Sequence, residues 1–139
     1  MVIKASMPTG RFCFAAVEFD EMIYAIGGSN DGTNALSTVE VYNPATNTWS
    51  SKASMPTARF VLSAAEFDGM IYAIGGSNDG INALSTVEVY NPVTNTWSAK
   101  ASMPTVRRGL AVAEEGGKIY AIGGYDGAEI LSTVEVYNP

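Results

Sequence analysis

The sequence IYAIGG occupies residues 23–28 and returns unchanged at residues 71–76 and 119–124. Its first four residues are apolar in a row, so an extended segment would carry apolar side chains on both faces. The pattern therefore predicts a strand that is buried on both sides. The two glycines that follow favour a tight turn and a close approach of neighbouring backbones. The chain thus carries the same buried strand three times.

Two further stretches repeat around this strand. KASMPT lies at residues 4–9, 52–57 and 100–105, and STVEVYNP lies at residues 37–44, 85–92 and 132–139. The repeats align with 39 of 48 positions identical between the first and the second. We therefore predict one domain, residues 1–139, made of repeats at about 4–51, 52–99 and 100–139.

The sequence pattern of each repeat predicts four short strands. Apolar runs end at turn signals such as Asp68-Gly69, and the segment Thr38–Tyr42 alternates and is rich in β-branched and aromatic residues. No segment keeps a helical period of 3.6 residues. In the first repeat we expect strands at residues 12–18, 21–27, 37–43 and 47–53.

A set of aromatic and glycine residues recurs at fixed offsets in these repeats. It consists of Gly27-Gly28, Gly75-Gly76 and Gly123-Gly124, with Tyr42, Tyr90, Tyr137, Trp49 and Trp97. Together with the arginine that ends each MPTxR segment, this set resembles the kelch repeat. The resemblance implies an all-β chain in which each repeat forms one four-stranded blade of a β-propeller. It also implies structural roles for these glycines, tyrosines and tryptophans, the tryptophan packing between blades with its N–H bonded to a carbonyl. Stacking of the tryptophan on a ligand is the less favoured alternative.

Three blades are fewer than the about four to eight that usually close a propeller. We therefore expect the chain to close six blades as a homodimer with twofold symmetry. Residues 2–7 match the outer strand of the later repeats, so we expect this N-terminal strand to complete the last blade of a partner. Closure within one chain is the alternative.

Arg11, Arg59 and Arg107 recur once per repeat, in a loop that the resemblance places on the face of the propeller. A second set of polar residues follows the glycine pairs on the same face: Ser29, Asn30, Ser77, Asn78 and Tyr125. Guanidinium groups bind carboxylates and phosphates in a bidentate manner, so this face is a candidate site for an acidic peptide or an anion. The structural interpretation is that each arginine bonds backbone carbonyls or pairs with the glutamate of its own repeat, Glu40, Glu88 or Glu135. One arginine and one such glutamate per repeat favour this interpretation.

Composition narrows the possible functions. The chain has 139 residues, no histidine, one cysteine and a formal net charge of −6. These features argue against histidine-based catalysis, metal and cofactor sites, nucleic acid and an anionic membrane surface. If the chain is natural, the absence of a signal-peptide pattern predicts a cytoplasmic location.

We therefore expect a non-enzymatic scaffold or binding module that assembles with itself. The near-identity of the repeats indicates recent amplification or engineering, because long-diverged blades acquire individual residues. A sugar-acting propeller enzyme is the remote alternative.

Overall fold

The computed structural model describes residues 1–139, and it is all-β, as predicted. The strands are β1 (Ala15–Phe19), β2 (Met22–Ile26), β3 (Val39–Asn43), β4 (Thr48–Lys52), β5 (Ser63–Phe67), β6 (Met70–Ile74), β7 (Val87–Asn91), β8 (Thr96–Ala99), β9 (Ala111–Glu115), β10 (Lys118–Ile122) and β11 (Val134–Tyr137). None of its elements is a helix of the length and apolarity that crossing a membrane requires.

The strands form three antiparallel sheets, which we call blades 1, 2 and 3. Blade 1 has the order β1-β2-β3-β4 and blade 2 the order β5-β6-β7-β8. Blade 3 contains three strands, in the order β9-β10-β11, so the outer edge of β11 is unpaired. The register is the same in each blade: Ile26 faces Val39, Ile74 faces Val87 and Ile122 faces Val134.

The inner strand of blade 1 begins at Ala15, three residues later than predicted. Cys13 has a φ of +52°, a left-handed conformation that interrupts the extended backbone, and Phe12 forms an isolated bridge with Ser29. Val61 and Gly109 repeat the left-handed conformation, with φ of +55° and +62°. Cys13, which lies within the strand predicted at residues 12–18, is outside the observed strand and exposed.

No strand forms at residues 2–7 in the single chain, and the predicted pairing of this segment with a partner's last blade stays a prediction. This segment is anchored to blade 1 at Ala5, whose N–H donates to Asn47 Oδ1 at 2.8 Å. The observed β4 spans Thr48–Lys52, and subtraction of the 48-residue repeat places its counterpart at Met1–Lys4. The equivalent of an outer strand is therefore residues 1–4, and these side chains are exposed.

The core lies between successive blades. We call the two sides of a blade its trailing face, which meets the next blade, and its leading face, which meets the preceding one. The trailing face of blade 1 consists of Ala15, Tyr24, Ile26, Val39 and Val41, and the leading face of blade 2 consists of Met55, Leu62, Ile71, Ala73 and Tyr90. Blades 2 and 3 repeat this contact through Tyr72, Ile74, Val87, Val89, Leu110, Ile119 and Ala121.

Candidate functional site

The three repeated arginines are buried, and each one pairs with the glutamate of its own repeat. All three side chains have no exposed surface. In each, Nη2 lies 2.9 Å from a carboxylate oxygen, that of Glu40, Glu88 or Glu135 respectively. These contacts are those of the structural interpretation, in which each arginine pairs with the glutamate of its own repeat and stabilises its blade.

Arg59 shows what the pair does for the fold. Its Nη1 donates to the carbonyls of Gly75 and Thr86, at 2.9 and 3.1 Å. These two residues start and end the loop between the adjacent antiparallel strands β6 and β7, so the guanidinium holds the two ends of that loop together. Burial lowers the pKa of Arg59, and the charge of Glu88 opposes that shift. The carboxylate thus offsets part of the cost of burying the cation.

The other residues of the predicted ligand face are divided between buried and exposed positions. Ser29 and Ser77 are fully buried, and each hydroxyl accepts the N–H of a loop glycine, Gly32 or Gly80, at 2.9 Å. Asn30 and Asn78 are exposed, and Tyr125 is half-buried. The structure therefore does not bring the three guanidinium groups to a common exposed surface with these side chains.

Arg108 is the one arginine outside these ion pairs. Its guanidinium carbon lies 5.2 Å from the centre of the Tyr125 ring, and Nη1 donates to the carbonyl of Gly80. The side chain thus bridges the loops of blades 2 and 3.

Acidic residues after the glycine pairs cap their own loops. Asp31 Oδ1 accepts the N–H groups of Thr33 and Asn34, and Asp79 Oδ1 accepts those of Ile81 and Asn82. These hydrogen bonds favour the charged carboxylate, and they hold the pKa of both aspartates well below the ordinary range. The aspartates therefore shape the turn.

The first glycine of each pair permits the next blade to approach. A Cβ on Gly27 would lie 2.4 Å from the carbonyl oxygen of Arg59, and one on Gly75 would lie 2.5 Å from that of Arg107. Gly123 has the same left-handed φ of +62°, but its nearest such neighbour is the Leu131 carbonyl at 3.3 Å. At Gly27 and Gly75, a carbonyl of the next blade occupies the space that a side chain would need. At Gly123, no following blade of the chain occupies that space.

Backbone hydrogen bonds join each pair of neighbouring blades. The junction between blades 1 and 2 has four, running from Gly28 N–H to Arg59 O, Arg59 N–H to Leu36 O, Met55 N–H to Ser37 O and Val61 N–H to Cys13 O. The junction between blades 2 and 3 repeats the set with Gly76, Arg107, Leu84, Met103, Ser85, Gly109 and Val61. The counterparts at the open ends are unpaired: the N–H groups of Met7, Arg11, Cys13 and Gly124, and the carbonyls of Arg11, Gly109, Leu131 and Ser132.

Apolar residues at the two ends are exposed where their counterparts are buried. On the leading face, Ile71 is 0% exposed and Ile119 1%, but Ile23 is 39% exposed. On the trailing face, Val41 is 1% exposed and Val89 5%, but Val136 is 56% exposed. The chain therefore presents two open faces, each chemically equivalent to a face that is covered inside it. The blade count predicts two such open faces, lined by residues such as Ile23, Val39 and Phe60. Ile23 is exposed, but Val39 and Phe60 are buried because they lie on faces that a neighbouring blade or loop covers.

Each tryptophan binds the backbone of the segment that leads into its own blade, and Trp97 also packs against the core between blades 1 and 2. Trp49 Nε1 donates to the carbonyl of Ala5 at 2.9 Å, and Trp97 Nε1 donates to that of Ala53 at 2.8 Å. Each ring also packs on a tyrosine of its own blade, Tyr42 or Tyr90, with ring centres 5.1 and 5.2 Å apart. Tyr137 has no such partner.

Comparison with known proteins agrees with this arrangement of blades. The kelch motif matches residues 10–56, 62–104 and 107–139, which is most of the chain. The chain belongs to the kelch-repeat family. An F-box/kelch-repeat protein of Arabidopsis thaliana is 46% identical over 46 residues, which are 33% of this chain and 13% of that protein. Kelch-like protein 36 of Rattus norvegicus is 44% identical over 46 residues, 33% of this chain and 7% of that protein.

A solved structure extends the kelch comparison to the whole fold. The structure of YjhT superposes with a TM-score of 0.78 at 22% identity, over 87% of this chain and 47% of that chain. The kelch chain described here thus spans about half of that structure and about an eighth or less of the curated relatives. The kelch repeats make it a β-propeller module of the type that mediates protein interactions.

Proposed function

We propose that this kelch chain is a non-enzymatic scaffold whose three blades assemble with those of a second copy into a closed six-bladed propeller. The observation that carries the proposal is the pair of open faces: Ile23 on blade 1 and Val136 on blade 3 are exposed, although their counterparts inside the chain are buried. The trailing face of one copy would cover the leading face of the other, and twofold symmetry would repeat that contact.

The internal junctions supply the template for this contact. The four unpaired N–H groups and four unpaired carbonyls at the ends are those needed to repeat the four backbone bonds of each internal junction. Gly123 would admit the Arg11 carbonyl of the second copy as Gly27 admits that of Arg59. Two copies give a blade number within the usual range, whereas three copies would give nine.

The same template gives a register for strand exchange. In blade 1, Val41 faces Ser50 and Val39 faces Lys52. Subtraction of one repeat predicts that Val136 faces Val2 of the second copy and that Val134 faces Lys4. The exposed segment Met1–Lys4 would thereby become the fourth strand of blade 3 and cover its unpaired edge.

Two features support a structural rather than a catalytic role. The arginine and glutamate of each repeat are paired with each other inside their blade. In addition, 39 of 48 positions are identical between the first two repeats. Such near-identity is that of a recently amplified or engineered repeat, in which no single blade has acquired its own set of reactive groups.

Light scattering on a sizing column tests the assembly directly. We expect 29.4 kDa, twice the 14.7 kDa of one chain, at all accessible concentrations, because obligate oligomers have no stable free subunit. A compact species of 14.7 kDa would contradict the proposal.

A disulfide tests the register. In a Cys13→Val background, Val2→Cys combined with Val136→Cys should form a covalent dimer on oxidation, because facing residues have Cα atoms about 5.5 Å apart. Ile3→Cys with Val136→Cys is the matched control, shifted by one residue, and it should remain uncrosslinked. Equal crosslinking of both pairs would refute the register.

Deletion of Met1–Met7 should weaken the dimer.

A further inference from the structure

The outer part of blade 3 holds a set of anchor groups that have no partner in the chain. We call this the outer-strand site: the unpaired edge of β11, the hydroxyl of Tyr137, and the backbone N–H and carbonyl of Ala101. None of these polar groups makes a hydrogen bond. A cavity of about 110 Å³ adjoins it, and both Tyr137 and Ala101 line that cavity.

Blades 1 and 2 show what these anchors hold. Asn47 Oδ1 accepts hydrogen bonds from both Tyr42 Oη and Ala5 N–H, at 2.8 Å each. In blade 2, Asn95 Oδ1 accepts from Tyr90 Oη at 2.8 Å and from Ala53 N–H at 2.9 Å. Two residues later in each blade, the tryptophan indole donates to the alanine carbonyl and packs on the tyrosine ring.

The anchors of blade 3 are already in position. The Tyr137 ring lies 5.9 Å from Tyr72, as the Tyr90 ring lies 6.0 Å from Tyr24 in the preceding junction. β10 and β11 also keep the register seen in blades 1 and 2. The anchors of blade 3 are therefore placed as in blades 1 and 2, and no strand of residues 1–139 pairs with the outer edge of β11.

The chain's own N-terminal segment fits this site incompletely. When it is aligned by the 48-residue repeat, Met1 stands at the position of tryptophan. A methionine side chain has no N–H to donate to Ala101 O, although its sulfur can contact the Tyr137 ring. A strand formed by Met1–Lys4 would cover the edge of β11 but leave Ala101 O without the indole donor.

We propose that the outer-strand site of blade 3 binds an extended peptide with the pattern Asn-x-Trp, and that it selects such a peptide over Met1–Lys4. The peptide would pair antiparallel with β11. Its asparagine Oδ1 would accept from Tyr137 Oη and Ala101 N–H, and its indole N–H would donate to Ala101 O. This goes beyond the proposed assembly, because such a peptide would compete with Met1–Lys4 of a second copy for the edge of β11.

A labelled peptide tests the site on the full chain. The probe is fluorescein-labelled VTNTWSAK, the sequence of residues 93–100, and its anisotropy is followed as protein is added. We expect saturable binding of one peptide per chain. Asn95→Ala or Trp97→Ala in the peptide should weaken binding at least about fivefold, because each removes hydrogen bonds to a prepared partner.

A protein variant separates the asparagine contact from general strand pairing. Tyr137→Phe removes only the hydroxyl, so it should weaken binding of the unsubstituted peptide but leave the affinity of the Asn95→Ala peptide unchanged. Absence of saturable binding, or equal affinity for substituted and unsubstituted peptides, would overturn the proposal.

Light scattering on the same samples keeps this inference apart from the proposed function. A monomer that binds the peptide would support the outer-strand site and contradict the assembly. A dimer that fails to bind it would contradict the preference for Asn-x-Trp and leave the assembly standing.

Discussion

At the scale of single residues, the repeated ion pairs bring charged groups into the interior of the blades. Arg59 and Glu88 are both buried, and the guanidinium is bonded to three carbonyls as well as the carboxylate. Removal of one partner would leave a buried charge without compensation, which is among the most destabilising changes a protein can undergo.

Glu88→Ala should therefore lower the free energy of unfolding by about 3–5 kcal/mol in urea titrations. The matched variant Glu135→Ala removes the same pair in blade 3, where the glutamate side chain is 18% exposed rather than 5%. It should cost less, because water replaces part of the lost interaction. Glu115→Ala, at an exposed position, serves as the control. Equal losses for all three would contradict a role for burial.

Ionisation of the loop aspartates makes the free energy of unfolding depend on pH. Because hydrogen bonds hold the pKa of Asp79 below its ordinary value, its charged form stabilises the folded state at any pH above about 4. That contribution is lost as the pH falls from about 4 toward the lower folded-state pKa. In urea titrations between pH 5 and pH 2, Asp79→Asn should show a smaller loss of stability than the parent. An identical pH profile for the two proteins would contradict this account.

At the scale of elements, the glycine pair links one blade to the next. Gly75 and Gly123 have nearly the same φ, but they differ in what a side chain would meet. A Cβ on Gly75 would lie 2.5 Å from a carbonyl oxygen of the following blade, whereas Gly123 has no following blade within the chain. The same substitution at the two sites should thus have different consequences.

Gly75→Ala should destabilise the folded chain, because both backbone strain and a clash with Arg107 O oppose it. Gly123→Ala carries the same backbone strain but no such clash within the chain, so it should remain folded by circular dichroism and lose the dimer in light scattering. If Gly123→Ala still forms a dimer of undiminished stability, the proposed approach of Arg11 is wrong.

At the scale of the whole molecule, the same apolar residue serves as core in one blade and as open surface in another. Ile71→Glu should prevent folding, because it places a charge in the core between blades 1 and 2. Ile23→Glu alters the equivalent residue on the open face. It should give a folded monomer of 14.7 kDa, measured by light scattering and circular dichroism. A stable dimer of Ile23→Glu would mean that the leading face of blade 1 is not the contact.

Local patterns allowed much of the fold to be predicted. The all-β class, the three units and the turn-separated strands follow from periodicity and glycine spacing. The inner strand was predicted too long, because sequence does not reveal the left-handed conformation of Cys13 and Val61. The pairing of residues 2–7 with a partner's last blade stays a prediction, and the bounds of β4 suggest that its register begins at residue 1.

The candidate site was less accessible to sequence reasoning. A repeated arginine is equally consistent with an exposed ligand ring and with a buried structural pair. The buried pair forms only if the carbonyls of the β6–β7 loop and Glu88 lie within hydrogen-bonding distance of the guanidinium. Three-dimensional packing decides that distance.

The sequence alone determined that this is an all-β repeat chain with turn-separated strands, because strand periodicity and glycine turns act over a few neighbouring residues. The recurring glycine, tyrosine and tryptophan residues supplied the resemblance to the kelch repeat. Only the tertiary structure decided which copies of each repeated residue are buried. Ile23, Ile71 and Ile119 are the same residue in the same local sequence, and they differ only in whether another blade lies against them. Burial depends on contacts between blades, so identical sequences acquire different environments at the middle and at the ends of the array.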